Sequence, residues 1–148
     1  MIRLVTNDII RSAAEVHAAA WRESHKSFCS PEFVALHTTE RQEKYLKTVI
    51  EGGALLYMLV ENEKPVGIVS ILGNLIENLY VLPEQQGKGY GSKLLQFAIE
   101  RCSGVPTLWI LNNNHGAKRL YERFGFSETG SVRRLSETLS ELEMTMVK

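Results

Sequence analysis

Apolar and polar positions in the first half of the chain alternate between helical and strand-like spacing. One set of apolar residues recurs at helical intervals: Ile9, Ala13, Val16 and Ala20. This interval predicts a helix. The capping-box pattern of Thr39 and Gln42 predicts a second helix, which runs through residue 50 and stops at Gly52. Between them, residues 31–37 are expected to form a short helix or turn. Apolar runs predict strands at residues 2–5, 54–60, 66–72 and 75–82. The last three of these strands, joined by polar turns, indicate an antiparallel meander.

The second half of the chain combines strands with two amphipathic helices. Apolar residues on one face predict a helix over residues 92–101: Leu94, Leu95, Ala98 and the following Cys102. The remaining predicted elements are a strand at 106–111, a helix at 115–124, and strands at 127–133 and 142–147. No linker, repeat or low-complexity stretch interrupts this order. The sequence therefore predicts a single α/β domain over residues 1–148.

Composition argues against several classes of protein. The chain has 17 basic and 17 acidic side chains in 148 residues, so no bulk charge attracts it to nucleic acid or an anionic membrane. The N-terminus lacks the layout of a signal peptide, and no apolar run approaches a membrane span. Two cysteines, Cys29 and Cys102, make no disulfide framework, which is typical of the reduced cytoplasm. The four histidines lack ligand spacing, so no metal is expected.

A glycine-rich turn leads into the helix over residues 92–101. Residues 81–91 read VLPEQQGKGYG. Glycines let a backbone approach a ligand closely, and the free N–H groups at a helix N-terminus bind anions. The turn therefore predicts a phosphate or pyrophosphate site, the alternative being a simple helix cap. Its spacing, with Gln86, Gly89 and Gly91, fits neither the Walker loop nor the dinucleotide fingerprint.

A second motif follows the strand at 106–111. Residues 114–126 read NHGAKRLYERFGF. The Gln-x-x-Gly-x-Gly turn resembles the acetyl-CoA loop of the GNAT acetyltransferase superfamily. The second stretch is similar to that superfamily's later motif, Asn-x-x-Ala-x-x-x-Tyr-x-x-x-Gly-Phe. The order and separation of the two motifs agree with this resemblance, which extends over nearly the whole chain.

The resemblance implies a fold, an activity and a cosubstrate. The implied fold is a mixed central β-sheet of about six to seven strands flanked by about four helices, with a V-shaped split between the two central parallel strands. The implied activity is transfer of the acetyl group of acetyl-CoA, by direct attack, to a primary amine of a small molecule or peptide. The alternative is a catalytically weak acetyl-CoA-binding sensor or regulatory module. A monomer or a homodimer is compatible with the sequence.

The resemblance also assigns residues to the cosubstrate. The main chain of Leu79, Tyr80 and Val81 is implied to pair with the pantetheine arm. Amides of the glycine-rich turn are implied to hold the pyrophosphate: Gln86, Gly87, Lys88, Gly89, Tyr90, Gly91 and Ser92. Asn114 is implied to bond the arm near the sulfur, and an Asn at a helix start is also an ordinary N-cap.

Two residues are candidates for catalysis. Tyr121 matches the tyrosine that is implied to protonate the leaving thiolate, since a phenol titrates at about 10 and a thiol at about 8.5. The alternative role of Tyr121 is packing on the sheet. Glu77 is the candidate general base, because strand alternation places residues 77, 79 and 81 on one face unless a bulge intervenes. Its alternative is a solvent-facing carboxylate.

One segment is a candidate wall of the acceptor site. Residues 16–25 read VHAAAWRESH and resemble a Val-His-x-x-x-Trp-Arg-Glu-x-Tyr stretch of GNAT proteins, with His25 in place of the tyrosine. The resemblance implies that Trp21, Glu23, His25 and Phe28 contact the acceptor. The alternatives are core packing for Trp21 and a solvated surface for Glu23.

Overall fold

A mixed β-sheet of seven strands forms the centre of the protein. The structure, a computed structural model, describes residues 1–146. In this part the elements are, in chain order, β1 (Ile2–Leu4), α1 (Ile10–His25), α2 (Pro31–Ala35), α3 (Thr39–Glu51), β2 (Leu55–Glu61), β3 (Lys64–Leu72), β4 (Leu75–Val81), a 3-10 turn (Pro83–Gln85), α4 (Tyr90–Arg101), β5 (Thr107–Leu111), α5 (His115–Arg123), β6 (Phe126–Arg134) and β7 (Ser140–Met146). The α/β class is confirmed. Residue 147, predicted to end the last strand, lies outside the described residues.

The strands lie in the order β1-β2-β3-β4-β5-β7-β6. All neighbours in this sheet are antiparallel except β4 and β5, which run parallel. The predicted meander of β2, β3 and β4 is therefore confirmed. Within the described residues, β4 and β5 pair at Leu75 and Thr107 and then separate, which agrees with the predicted V-shaped split.

Each face of the sheet carries its own core. On one face α4 packs on the sheet through Leu94, Leu95 and Ala98, all fully buried, as its apolar spacing predicted. On the other face α1 and α3 pack on β2 and β3, with Val16 and Leu46 in the same cluster. Helices therefore cover both faces of the sheet.

The start of α3 differs from the prediction by one residue. Thr38, and not Thr39, is the N-cap, and its Oγ1 accepts the N–H of Arg41 over 3.2 Å. Two adjacent threonines offer the same chemistry, and Thr38 is the one with the extended backbone that a cap requires. Gln42 consequently lies outside the capping box, and its side chain is buried between α1 and α3.

Candidate active site

A cleft of about 680 Å³ opens where β4 and β5 separate. Its long walls are residues 76–81 of β4 and 108–111 of β5. The end of α1 closes one side, and residues at the start of α5 close the other. The cleft brings together eleven of the predicted site residues: Trp21, Glu23, His25, Phe28, Glu77, Leu79, Tyr80, Val81, Gln86, Asn114 and Tyr121.

A β-bulge at Asn78 changes which side chains of β4 share a face. Asn78 has a left-handed backbone with φ of 55°, and the register with β3 shifts at this point. Glu77 pairs with Ser70 and lies on the α1 and α3 face, as Tyr80 does beyond the bulge. Leu79 and Val81 pack toward α4. The prediction that residues 77, 79 and 81 share one face is therefore wrong, because the bulge inserts one residue into the alternation.

The backbone of β4 beyond the bulge alternates between β3 and the split. Leu82 donates its N–H to Val66 of β3 over 2.9 Å. By alternation, the backbone N–H and C=O groups of Tyr80 also point toward β3. Those of Leu79 and Val81 point into the split. The Gln86 side chain donates to the carbonyl oxygen of Val81 over 3.1 Å, which ties the glycine-rich turn to the strand.

The glycine-rich turn has the backbone of an anion-binding loop. Gly87 and Gly89 have positive φ values of 79° and 85°, and a Cβ on either would meet no atom of residues 1–146 within 4 Å. Gly89 is the N-cap of α4 without a side-chain cap, and the first helical bond is from Lys93 to Gly89. The preceding amides of α4 are therefore free of helical partners. Of the predicted phosphate-binding residues, Gln86 lines the cleft and residues 87–92 lie outside its lining.

Asn114 and Tyr121 lie on α5 beside the split. The Asn114 Oδ1 accepts the N–H of Ala117 over 3.1 Å, so Asn114 caps the helix and also lines the cleft. Tyr121 packs edge-on against Phe126 with ring centroids 6.0 Å apart. Burial raises the pKa of Tyr121 to about 12, so the phenol keeps its proton near neutral pH. Tyr121 thus packs against Phe126 and also lines the cleft.

Aromatic and imidazole rings form the α1 wall. Trp21 is stacked between His25 and His37, at centroid distances of 3.8 and 3.5 Å. Phe28 lies beside His25 at 5.2 Å, and Glu23 is paired with Lys26 at 2.7 Å. Burial lowers the pKa of both His25 and His37, which favours neutral rings in the stack.

A hydrogen-bond network behind this wall was not predicted from the sequence. The Tyr45 hydroxyl donates to Asn78 Oδ1 over 3.1 Å, and Asn78 Nδ2 donates to Ser70 Oγ over 3.0 Å. Behind the same wall, the Gln42 side chain donates to Nδ1 of buried His17 over 2.6 Å. The available signal was an Asn inside an apolar strand, since Asn adopts a left-handed backbone more readily than most residues.

Among residues 1–146, no cluster of three or more His, Cys, Asp or Glu side chains is arranged to hold a metal ion. No helix in the same part of the chain has the length and apolarity needed to cross a bilayer.

Comparison with known proteins gives consistent family matches. A family model described as acetyltransferase (GNAT) domain matches residues 52–128. The chain is 30% identical over 147 residues to an uncharacterized N-acetyltransferase of Methanocaldococcus jannaschii, covering 89% of this chain and 62% of that protein. It is 24% identical over 112 residues to the peptidyl-lysine N-acetyltransferase YjaB of Salmonella typhimurium, covering 76% of this chain and 75% of that one.

A solved structure has the same fold. The PaiA N-acetyltransferase of Thermoplasma acidophilum, crystallised in complex with coenzyme A, superposes with a TM-score of 0.72. The match covers 97% of this chain and 96% of that chain at 17% sequence identity. The predicted fold, with its split central sheet, is therefore confirmed.

Proposed function

The chain belongs to the GNAT acetyltransferase family, and we propose that it transfers the acetyl group of acetyl-CoA to a primary amine of a small molecule or peptide. We further propose that all 148 residues act as one domain. Coenzyme A in the Thermoplasma relative supports the cosubstrate, and the peptidyl-lysine acceptor in the name of YjaB supports an amine acceptor.

One observation carries the proposal. The split between β4 and β5 has the backbone groups of Leu79 and Val81 on one wall and Tyr121 near the other, and the turn with Gly89 follows the same strand. An extended pantetheine arm fits between diverging strands, because it can pair with backbone groups that have lost their neighbouring strand. A pyrophosphate fits the open space above Gly87 and the free amides of α4.

The proposed chemistry assigns one task to each of three groups. Bound acetyl-CoA supplies an activated thioester. The Leu79 N–H faces the split and would donate to the acetyl carbonyl oxygen, a contact that strengthens as negative charge develops there. Glu77 would accept a proton from the acceptor ammonium, directly or through water, and Tyr121 would donate its proton to the leaving sulfur.

A calorimetric titration with acetyl-CoA, CoA, ATP and NADH tests the cosubstrate. We expect saturable binding of acetyl-CoA and CoA alone, followed by thiol release when an amine panel is added. Absence of acetyl-CoA binding would contradict the proposal. Binding without thiol release from any amine, peptides included, would instead indicate the sensor alternative.

Two glycine variants separate loop binding from backbone strain. Gly89→Ala adds a Cβ in the loop at φ of 85°, whereas Gly130→Ala adds one at φ of 95° in β6, away from the loop. Both positions are open and incur a similar left-handed penalty. Loss of acetyl-CoA affinity in Gly89→Ala alone is the expected result.

A further inference from the structure

A side pocket of about 220 Å³ opens beside the main cleft, between α1, α3 and β4. It shares Trp21, Asn78 and Tyr80 with the cleft, so the two cavities adjoin at these residues. The other residues that line it are His17, His37, Arg41, Gln42 and Tyr45. The side pocket lies on the same face of the sheet as the candidate base, Glu77.

The polar groups of the side pocket are mostly engaged with one another. The Gln42 amide is bonded to His17 over 2.6 Å, and the Tyr45 hydroxyl donates to Asn78. These bonds preform the pocket and occupy donors that could otherwise bind a ligand. Arg41 is the one charged residue of the described lining, apart from imidazoles whose burial disfavours protonation.

Arg41 is available for an anion. Within residues 1–146 its guanidinium has no carboxylate within salt-bridge distance. The nearby acidic residues of α3, Glu40 and Glu43, contact Arg11 instead, at 2.9 and 4.0 Å. A guanidinium binds a carboxylate through two parallel hydrogen bonds, which makes this group a specific partner for one.

The main cleft has the opposite charge. Its described lining contains Glu23, Glu77 and Glu141 and neither Lys nor Arg. Glu23 is paired with Lys26 at 2.7 Å, and Glu141 lies 3.9 Å from Arg133. Glu77 remains as the unpaired carboxylate of this described lining, and it attracts an ammonium group.

We propose that the acceptor is an amine that also carries a carboxylate, with its amine facing Glu77 and its carboxylate bound by Arg41 in the side pocket. The inference rests on the proposed acetyl transfer and narrows its acceptor to a small amino acid. A lysine side chain within a protein has no carboxylate fixed beside its amine, so such an acceptor leaves Arg41 without a partner.

Product binding tests this inference without requiring turnover. The N-acetyl derivatives of glycine, β-alanine and γ-aminobutyrate are titrated by calorimetry into the CoA-saturated protein, each beside its carboxamide. We expect the acid of at least one pair to bind on the order of tenfold more tightly than its amide, the difference of about 1.4 kcal/mol that a charge-assisted contact provides. Equal binding within every pair, or no binding of any acid, would overturn the inference.

Variants on α3 identify the side chain that causes the preference for the acid over its carboxamide. Arg41→Gln is expected to abolish the preference for the acid, and Arg41→Lys to restore part of it, because a lysine keeps the charge without the planar fork. Lys44→Gln removes an exposed cation of the same helix that lies outside the pocket lining, and it should keep the full preference. An unchanged preference in Arg41→Gln would contradict the role of Arg41.

Two further measurements separate this inference from the proposed function. Acetyl-CoA should bind Arg41→Gln as tightly as it binds the native protein, since Arg41 lies outside the lining of the main cleft. If acetyl-CoA does not bind the native protein, acetyl transfer itself fails. If it binds, and carboxamides or peptides are acetylated as fast as the acids, the proposed activity stands and the carboxylate-bearing acceptor is wrong.

Discussion

Gln42 of α3 donates its side-chain N–H to Nδ1 of His17 in α1 over 2.6 Å, and both residues are buried. An acceptor at Nδ1 leaves the ring proton of the neutral imidazole on Nε2. The bond therefore fixes the tautomer of His17 and joins α1 to α3. Burial lowers the pKa of His17 from 6.5 to about 4.

This lowered pKa predicts that the protein loses stability in mild acid. The unfolded chain protonates His17 at about 6.5, while the folded protein resists protonation until about pH 4. The contribution of neutral His17 to the free energy of unfolding is present in full above pH 6.5. It falls by roughly 3 kcal/mol as the pH drops toward 4. Urea unfolding at pH 7.5 and 4.5 measures this loss, and His17→Gln should make the difference between the two pH values smaller.

His115 provides the matched control for this experiment. It is an exposed histidine at the start of α5, and His115→Gln should leave the pH dependence of the unfolding free energy as it is in the native protein. If His17→Gln also leaves it unchanged, other groups cause the acid sensitivity. The comparison uses pH slopes, so it holds even where a variant lowers stability at both pH values.

Tyr121→Phe should lower kcat by about a hundredfold or more, the usual effect of losing a general acid. The KM for acetyl-CoA should change little, because the ring still packs against Phe126. With a pKa of about 12, Tyr121 stays protonated through pH 10, so any alkaline decline of activity below that pH must come from another group. Initial rates of thiol release measure both quantities.

Tyr57→Phe is the control for the loss of a phenol. Tyr57 packs edge-on against Phe97 at 4.7 Å, and it does not line the cleft. Its kcat should equal that of the native protein. A native kcat in Tyr121→Phe would leave Tyr121 with a packing role alone.

Gly67→Ala should destabilise the fold by about 1–3 kcal/mol, the cost of overpacking a core. A Cβ at Gly67 would lie 2.7 Å from Leu94 Cδ1 and 3.0 Å from the carbonyl oxygen of Tyr80, and Leu94 is fully buried. Gly116→Ala adds a methyl group in α5 that meets no atom of the other described elements within 4 Å, and it should be neutral or stabilising. Equal denaturation midpoints for the two variants would contradict close packing of β3 on α4.

The sequence predicted the elements well, because their signals are local. Apolar spacing identified the strands and the packed face of α4, and the two motifs identified the family. The Asn78 bulge was not predicted, because the side chains that bond Asn78 belong to other elements, Tyr45 to α3 and Ser70 to β3. The error at Glu77 follows from it, since one inserted residue reverses every later side chain of a strand.

The side pocket escaped prediction for a related reason. Its residues come from α1, α3, β4 and, in the case of His37, the segment between α2 and α3. The motif that contains His17 and Trp21 does not indicate the others. Trp21 was predicted to contact the acceptor, but its stacking between His25 and His37 depends on how α2 turns back onto α1. Local patterns contain no information on such contacts between distant segments.

Glu77→Gln should lower kcat/KM for the amine at neutral pH and alter the acidic limb of its pH profile. A carboxamide keeps the size of the side chain but cannot accept the ammonium proton. The acidic limb of the pH profile therefore tests whether Glu77 acts as the base. Glu84→Gln, in the exposed 3-10 turn outside the cleft lining, is the control and should keep the native profile. A native profile in Glu77→Gln would make Glu77 a solvent-facing carboxylate.

Asn78 variants test whether the bulge depends on side-chain bonds as well as on its left-handed backbone. Asn78→Gly accommodates the left-handed backbone at φ of 55° but loses the side-chain bonds to Tyr45 and Ser70. Asn78→Ala loses these bonds and also disfavours the left-handed backbone. We expect the order native, Gly, Ala in urea stability, with about 1 kcal/mol between Gly and Ala. Asn62 has φ of 50° in an exposed position, so Asn62→Gly should be at least as stable as the native protein. If Asn78→Gly is equally harmless, backbone conformation alone maintains the bulge.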